Sequence, residues 1–329
     1  MKIAFYGTKP YDRIWFEPLA EEYGFEIHFI ELPCSQDTIG LAAGSDAVCI
    51  FVNDRMDGNM IDALCRMKVK AILLRSAGFN HVDMKAAQGR IPVLRVPSYS
   101  PEAVAELALA LLMTVNRMTH KAYNRTRDFN MSLHGLMGTD MNHKTAGVIG
   151  TGKIGQAMIR IFQGLNMQVL AYDPYPVPDL EAEYVPLDKL FARADVISLH
   201  CPLTDQTRHI INQDSIRTMK QGVYLINTSR GGLIDTEALI EGLLEKRFGG
   251  VGLDVYEEEE GVFYEDLSGE IMTDDNLARL MTFPNVVVTS HMGFFTQEAM
   301  QAIAIETLEN AYAVEQGLPL LNQVTISGK

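Results

Sequence analysis

The chain has 329 residues, of which 28 are Lys or Arg and 42 are Asp or Glu, so its formal net charge at pH 7 is −14. This length predicts two domains, and the excess of negative charge argues against binding to nucleic acid or to an anionic membrane surface. The most apolar stretch, residues 103–115, contains Glu106 and is too short to span a bilayer. We therefore expect neither a nucleic-acid nor a membrane partner.

The four cysteines are spread along the chain as Cys34, Cys49, Cys65 and Cys201. They form no CxxC pair, and no group of His and Cys has zinc-finger spacing. The N-terminal residues are typical of a strand and lack the features of a signal peptide. We therefore expect reduced thiols, no metal site and a cytoplasmic location.

The first hundred residues alternate between short apolar, β-prone runs and helical patterns. Strands are predicted at 2–6, 25–31, 46–52, 70–75 and 92–96, and helices at 10–23 and 59–67. The run 46–52 is almost wholly apolar, as expected of a parallel strand that is covered on both faces. The alternation predicts a small open α/β sheet.

A long apolar helix is predicted to begin at Ser100, with Pro101 in its first turn and Glu102 near the positive end of the helix dipole. It should extend to about Met118. The arm that follows, His120–Gly138, is polar, partly basic and rich in Arg, Asn and Met. The arm either packs against a partner subunit or is a solvated connector, and the sequence favours neither.

Residues 144–173 form one complete βαβ pattern. A strand at Thr145–Ile149 leads into the glycines Gly150, Gly152 and Gly155 of a GxGxxG motif. A helix is predicted from Gln156 to Phe162, ending near Gly164, and a second strand, 168–172, ends at Asp173. The alternative, a tight turn that binds nothing, requires the whole unit to be coincidence.

Each part of this unit suits a dinucleotide. Gly150 permits a sharp turn, Gly152 leaves room for the pyrophosphate, and Gly155 lets helix and strand approach closely. The helix N-terminus favours the pyrophosphate charge. Asp173 would accept hydrogen bonds from the adenosine ribose, and no Arg follows it to hold a 2′-phosphate, so NAD rather than NADP is predicted.

The alternation of strands and helices continues, which predicts a second doubly wound sheet. The predicted strands are 195–200, 222–228, 249–254 and 286–290, and the helices include 187–193, 214–219 and 236–246. The acidic segment 257–275 is expected to be a solvated insertion. A long helix is predicted after Thr296.

Arg230, Glu259 and His291 follow three predicted strand ends, so they should reach the same sheet edge as the nucleotide. Arg can hold a carboxylate through two parallel hydrogen bonds. His can transfer a proton to or from a carbonyl or hydroxyl oxygen, and a neighbouring Glu favours its charged form. Each residue alone is more often structural, but the set predicts a nicotinamide-dependent oxidoreductase. His200 is the alternative candidate for the proton donor, and we interpret it instead as a residue that lines the cofactor site.

The chain resembles the D-specific 2-hydroxyacid dehydrogenase family over essentially its full length. The resemblance is carried by six motifs: LRSAGFN (74–80), VPSYSPEA (96–103), the 150–155 loop, HCPLT (200–204), NTSRG (227–231) and DVY (254–256). It implies an NAD-binding Rossmann domain, 101–296, inserted in a flavodoxin-like substrate domain made of 1–100 and 297–329. The active site would lie in the cleft between these two doubly wound parallel-sheet domains.

The resemblance also implies a reaction, in which NADH reduces pyruvate to D-lactate. Arg230 would bind the substrate carboxylate, His291 would donate the proton, and Glu259 would pair with the imidazole. Glu259 is preferred to its acidic neighbours because the family's acid lies five residues after the position of Asp254. A bulkier 2-keto acid is an alternative substrate, and a nucleotide-sensing protein of the corepressor type is an alternative function.

The resemblance extends to residues that would line the two ligands, and to a homodimer or homotetramer. Those implied to contact the cofactor, besides the glycines and Asp173, are Lys153, Ile154, Cys201, Pro202, Thr207, Thr228 and Asp254. Those implied to contact the substrate are Phe51, Ala77, Gly78, Tyr99 and Phe294. For Cys201 a reactive thiol is the alternative to a simple wall position.

Overall fold

The computed structural model describes residues 1–259 and 261–325. Glu260 of the predicted acidic segment and residues 326–329 of the predicted substrate domain lie outside the described residues. The strands are β1 (Lys2–Phe5), β2 (Glu26–Phe29), β3 (Ala47–Ile50), β4 (Ala71–Leu74), β5 (Val93–Leu94), β6 (Thr145–Ile149), β7 (Gln168–Tyr172), β8 (Glu183–Tyr184), β9 (Val196–Leu199), β10 (Val223–Asn227), β11 (Phe248–Leu253) and β12 (Val286–Val288).

The helices alternate with these strands through most of the chain. They are α1 (Pro10–Tyr23), α2 (Gly58–Arg66), α3 (Met84–Ala87), α4 (Pro101–Arg117), α5 (Thr119–Arg127), α6 (Lys153–Gly164), α7 (Leu187–Arg193), α8 (Gln213–Thr218), α9 (Thr236–Leu244), α10 (Asp275–Thr282) and α11 (Gln297–Gln316). Short 3-10 turns lie at Ile39–Ala42 and Gly231–Leu233.

The chain divides into two compact units. The first unit consists of Met1–Ser100 and the chain from Phe295 onward, and the second unit is Pro101–Phe294. The division at the C-terminal side falls two residues before the predicted one. Phe295 and Thr296 therefore belong with α11, whose first turn Thr296 caps by accepting a hydrogen bond from Ala299 N at 3.3 Å.

The first unit is built on a parallel five-stranded sheet in the order β2-β1-β3-β4-β5. This is the flavodoxin-like order, so the predicted fold class of this unit is confirmed. All four residues of β3 and of β4 are buried, as the nearly continuous apolar runs predict.

The second unit is built on a parallel seven-stranded sheet in the order β12-β11-β10-β9-β6-β7-β8. Counted from β6, six of these strands follow the Rossmann order 3-2-1-4-5-6, and β12 adds a seventh. The order reverses between β6 and β9, which is the position where nucleotides bind in such sheets. The predicted doubly wound sheet is confirmed.

Both faces of this second sheet are covered by apolar clusters. Ile149 and Ile197 point to one cluster, and their chain neighbours Val148 and Val196 point to another. Helix α4 lies close against the second face because β11 carries glycine there. A Cβ at Gly252 would lie 2.9 Å from the Cβ of Leu111.

One predicted boundary and two assignments need correction. Helix α6 begins at Lys153, three residues before the predicted start, because the turn at Gly152 already leads into helical geometry. The arm is partly helical, as α5. The acidic segment is not simply a solvated insertion, since its Phe263 is buried and its last residues begin α10. Asp274 caps that helix by accepting from Leu277 N at 2.9 Å and also accepts from Tyr256 Oη at 3.0 Å.

Candidate active site

The glycine-rich turn between β6 and α6 requires the absence of side chains at two positions. Gly150 has a φ of +95°, and a Cβ there would lie 2.5 Å from the backbone N of Cys201. A Cβ at Gly155 would lie 2.0 Å from the carbonyl oxygen of Gly150. Both contacts are far below van der Waals distance, so only glycine fits these two positions of the tight turn and the close helix–strand approach. Their contact with the nucleotide stays a prediction.

Gly152 has a different environment, because a Cβ there would meet no atom within 4 Å. It is the N-cap of α6, and no side chain caps this helix end. Lys153 and Ile154 are the first two residues of the helix. No side chain therefore caps or covers this helix N-terminus at Gly152, which is the arrangement that suits a pyrophosphate.

Asp173 follows β7 at the other end of the βαβ unit. Its Oδ2 accepts hydrogen bonds from Thr151 N at 2.7 Å and from Thr151 Oγ1 at 3.1 Å. Its Oδ1 accepts from Tyr175 N at 2.9 Å. The carboxylate is thus fixed beside the glycine-rich turn, where an adenosine ribose would meet it.

The chain after β9 forms a wall beside the same turn. Ser229 Oγ donates to Cys201 O at 2.7 Å, and Thr207 Oγ1 donates to Pro202 O at 2.6 Å. Burial raises the pKa of the Cys201 thiol to about 11. The thiol is therefore neutral near pH 7. This favours the interpretation of Cys201 as a residue that lines the cofactor site over the alternative of a reactive thiol.

Two buried polar atoms in this region lack a hydrogen-bond partner among the described residues, namely Thr228 Oγ1 and His200 Nδ1. Such atoms are costly to leave unpaired, and a bound polar ligand would satisfy them. Burial lowers the pKa of His200 to about 4, so this imidazole is neutral near pH 7. A neutral, buried ring supports its interpretation as wall rather than proton donor.

His291 and Glu259 form a hydrogen-bonded pair at the carboxyl edge of the second sheet. His291 Nδ1 lies 2.9 Å from Glu259 Oε1, and Glu259 Oε2 accepts from Tyr256 N at 3.1 Å. Both side chains are partly buried. Because Nδ1 is used by Glu259, Nε2 is the ring nitrogen that remains for a substrate.

The backbone of His291 has a φ of +55°, which costs a residue with a Cβ about 1–3 kcal/mol. Contacts to its own carbonyl and to the next two residues hold it there. Tyr264 Oη donates to His291 O at 2.9 Å, and Asp254 accepts from Met292 N at 2.9 Å and from Gly293 N at 2.8 Å.

Asp254 is fully buried, and burial raises the pKa of its carboxyl group. Its Oδ1 also accepts from Thr289 Oγ1 at 2.6 Å, so both oxygens are engaged by residues 289–293. The observed contacts of Asp254 are therefore with the loop that carries His291. Its contact with the nicotinamide stays a prediction.

Arg230 follows β10, the strand beside β11. Its side chain donates to Ser229 O at 2.6 Å, and it forms no ion pair with any carboxylate in the described part of the chain. A Cβ at Gly231 would lie 2.0 Å from Tyr256 O, so the Arg230 turn packs on the backbone that leads to Glu259. The Arg230 turn therefore lies at the same sheet edge as Glu259, and its guanidinium has donors left for a carboxylate.

In the first unit, the loop after β4 has two backbone N–H groups that could hold an anion. Arg95 NH1 donates to Ala77 O at 3.0 Å, and Ser76 Oγ donates to Gly78 O at 2.9 Å. The N–H groups of Ala77 and Gly78 make no hydrogen bond to any residue that the structure describes. Fixed carbonyls with available N–H groups match the predicted carboxylate-binding role.

The aromatic residues predicted for the substrate have distinct environments. Phe51 lies after β3, and its ring is 4.8 Å from the guanidinium carbon of Arg75, which is itself buried. Tyr99 is partly buried just before α4, and Phe294 is buried at the end of the second unit. These positions are compatible with substrate contacts, which stay a prediction.

Two observations concern the predicted absences. Within the described ranges, no group of three or more His, Cys, Asp or Glu side chains could hold a metal ion. The same part of the chain contains no helix that combines the length and hydropathy needed to cross a bilayer.

Sequence reasoning missed three supporting residues: Tyr264, which holds the His291 backbone, Thr151, which holds Asp173, and Tyr184, which contacts Thr151. Thr151 stands inside the glycine motif, where a hydroxyl next to the acid was a usable signal. Tyr184 lies in the two-residue strand β8, which is too short to show a periodic pattern.

Comparison with known proteins agrees with this geometry. The family model for the NAD binding domain of D-isomer specific 2-hydroxyacid dehydrogenases matches residues 109–293. The chain is 48% identical to the D-lactate dehydrogenase of Escherichia coli over 328 residues, 98% of this chain and 100% of that protein.

Solved structures give the same picture. The pyruvate reductase of Chlamydomonas reinhardtii is 43% identical with a TM-score of 0.93, over 98% of both chains. A D-2-hydroxyisocaproate dehydrogenase is 31% identical with a TM-score of 0.87, over 99% of this chain and 100% of that one. The chain belongs to the D-isomer specific 2-hydroxyacid dehydrogenase family, and the predicted cofactor, NAD, is confirmed by the matched domain.

Proposed function

We propose that this chain is a D-lactate dehydrogenase that reduces pyruvate to D-lactate with NADH. The observation that carries the proposal is the His291–Glu259 pair, 2.9 Å between Nδ1 and Oε1, at the edge of an NAD-binding sheet. A positioned imidazole at this edge supplies the proton that reduction of a carbonyl requires.

In this proposal His291 delivers its proton from Nε2 to the carbonyl oxygen of the substrate. Glu259 accepts from Nδ1–H, which orients the ring and stabilises its charged form. Tyr256 N–H holds the second oxygen of Glu259, so the carboxylate cannot rotate away. NADH, when bound, supplies the hydride to the carbonyl carbon.

Arg230 binds the substrate carboxylate through its planar fork. A carboxylate held at two oxygens fixes the orientation of the neighbouring carbonyl, which is worth several orders of magnitude in effective concentration.

Pyruvate is preferred to a bulkier 2-keto acid because the chain is more similar to a D-lactate dehydrogenase and to a pyruvate reductase, at 48% and 43% identity, than to a D-2-hydroxyisocaproate dehydrogenase, at 31%.

The protein is further proposed to act as a homodimer or homotetramer in the cytoplasm. The arm that contains α5 exposes large apolar side chains, which is typical of an interface. All four cysteines are free thiols, as expected of a protein in a reducing compartment.

The test is NADH oxidation with pyruvate, 2-ketobutyrate, 2-ketoisocaproate, phenylpyruvate and hydroxypyruvate, with a stereospecific assay of the product. Fast turnover restricted to pyruvate and its close analogues, with the D product, is expected. Preference for 2-ketoisocaproate or phenylpyruvate would overturn the lactate assignment but keep the three catalytic residues. No turnover together with tight NADH binding would favour the nucleotide-sensing alternative.

A further inference from the structure

Asp173 belongs to a closed ring of hydrogen bonds. Thr151 donates to its Oδ2 from N and from Oγ1, at 2.7 and 3.1 Å. Tyr184 Oη donates to Thr151 Oγ1 at 3.0 Å and accepts from Val177 N at 2.9 Å. Tyr175 N, two residues before Val177, donates to Asp173 Oδ1 at 2.9 Å and completes the ring.

Three hydrogen bonds of the ring run in one direction and end on Asp173, which also accepts from Tyr175 N on its other side. The N–H of Val177 donates to Tyr184, Tyr184 donates to Thr151, and Thr151 donates to the carboxylate of Asp173. Each hydroxyl therefore donates once and accepts once. Thr151 is fully buried, so water cannot replace a lost partner and each bond is costly to remove.

Rigid elements support the ring from both sides. Tyr184 lies in β8, where it pairs with Ala171 of β7, two residues before Asp173. Thr151 lies in the glycine-rich turn, where Gln156 Nε2 donates to its carbonyl at 2.9 Å. The turn 174–177 between them is held at Tyr175 and at Val177, and it contains no cationic side chain.

We propose that Thr151 and Tyr184 are positioning residues that fix the Asp173 carboxylate and thereby set the preference for NADH over NADPH. The inference rests on the proposed contact of Asp173 with the adenosine ribose. A fixed carboxylate is always in place to accept from a 2′-hydroxyl and to repel a 2′-phosphate. A carboxylate that can rotate would bind the first less well and could turn away from the second.

The test measures the Kd of NADH and of NADPH by nicotinamide fluorescence on the full-length protein. Thr151→Val removes only the hydroxyl contacts, and we expect NADH to bind about tenfold more weakly, the effect of one hydrogen bond to a charged group. The binding of NADPH should not weaken, so the ratio of the Kd of NADPH to the Kd of NADH should fall about tenfold. Tyr184→Phe should move the ratio in the same direction by less, and Thr151→Ser should retain it.

Tyr224→Phe is the matched control, because it also removes a tyrosine hydroxyl from the second sheet. That hydroxyl donates to Asn116 Oδ1 at 3.1 Å, and Tyr224 is near the start of β10, at the other edge of the sheet. We expect no change in either constant. If Thr151→Val does not fold, the ratio for Tyr184→Phe decides.

Asp173→Ala distinguishes the ribose contact of Asp173 from the positioning role of Thr151 and Tyr184. An unchanged ratio in Asp173→Ala would overturn the ribose contact itself and the positioning role with it. A lower ratio in Asp173→Ala, with unchanged ratios in Thr151→Val and Tyr184→Phe, would overturn the positioning role alone. Equal weakening of both nucleotides in the two hydroxyl variants would also overturn it. Because binding needs no keto acid, these outcomes are independent of the lactate assignment.

Discussion

At the scale of single residues, the imidazole of His291 is held so that one of its nitrogens remains for chemistry. Glu259 uses Nδ1, and Tyr264 and Asp254 hold the backbone, at its own carbonyl and at the next two residues, in a conformation that a residue with a Cβ rarely adopts. Strain of this kind persists where the surroundings over-determine it, which is common at functional sites. The contacts therefore support a role that depends on orientation.

His291→Ala is expected to lower kcat by about 10²–10⁴-fold, the usual contribution of a general acid. The Kd of NADH should change little, because the substitution leaves the glycine-rich turn and Asp173 intact. Steady-state turnover with pyruvate and fluorescence titration of NADH provide the two measurements. His28→Ala, at an exposed position of β2, is the matched control. Wild-type turnover in the His291 variant would contradict the assignment of the proton donor.

Arg230→Lys is expected to raise the KM for pyruvate about tenfold or more, because a lysine cannot make two parallel hydrogen bonds to a carboxylate. The binding of NADH should be unaffected. Arg160→Lys is the comparison, since Arg160 makes one exposed contact of 3.2 Å with Glu102, and such pairs contribute little. Equal and small effects in the two variants would show that Arg230 does not anchor the carboxylate.

At the scale of elements, most strands and helices were predictable because local patterns decide them. Strand β6, helix α7 and helix α1 have the predicted bounds, since each combines a clear period with a cap, a glycine or a proline at its ends. Strand β8 has two residues and no period, so only its pairing with β7 makes it a strand. Helix α10 was not predicted, because it is only eight residues long and begins at the end of the acidic segment; its buried residues are Leu277 and Leu280.

The residues of the candidate site also fall into two groups, those marked by local sequence motifs and those that act only through tertiary contacts. Arg230, Glu259 and His291 could be proposed as candidates because motifs and strand ends mark them, and their catalytic roles stay predictions. Tyr264, Thr151 and Tyr184 were not predicted as supporting residues, because they act through contacts that depend on how the chain folds. Asp254 shows the difference most clearly, since its motif was recognised but its hydrogen bonds to residues 289–293 were not foreseen.

The end of β9 provides a prediction on pH. Burial lowers the pKa of His200 in the folded chain from 6.5 to about 4. Between these values the unfolded chain binds the proton and the folded chain does not, so the free energy of unfolding falls as the pH falls from 6.5 toward 4. Above 6.5 the residue is neutral in both states and contributes no pH dependence.

Urea unfolding of the wild type and of His200→Gln at several pH values measures this contribution. The glutamine variant should lose less stability on acidification, by up to about 3 kcal/mol between about pH 7 and about pH 4. Other groups that titrate in this range act on both proteins, so the difference between the two pH dependences isolates His200. Parallel curves would mean that the imidazole is solvated in the folded chain.

At the scale of the whole molecule, the arm between α4 and β6 has apolar side chains that the fold of one chain does not bury. Asn116 holds its two ends together, accepting from Thr139 N at 2.9 Å and donating to Thr139 O at 2.8 Å. Within the arm, Phe129, Leu133 and Met137 are 87%, 82% and 95% exposed. An arm whose ends are held together and whose apolar side chains are exposed is more typical of an interface than of a connector.

We therefore expect the wild type to have a mass in solution of two or four times 36.6 kDa, and the double variant Phe129→Ser with Leu133→Ser to dissociate toward 36.6 kDa. Removing two large apolar contacts from an interface should weaken association by several kcal/mol. Sedimentation equilibrium over a range of concentrations measures both. Ile271→Ser is the control, because Ile271 is 89% exposed outside the arm and its loss should leave the mass unchanged. A wild type that stays at 36.6 kDa would make the arm a solvated connector, the alternative that the sequence left open.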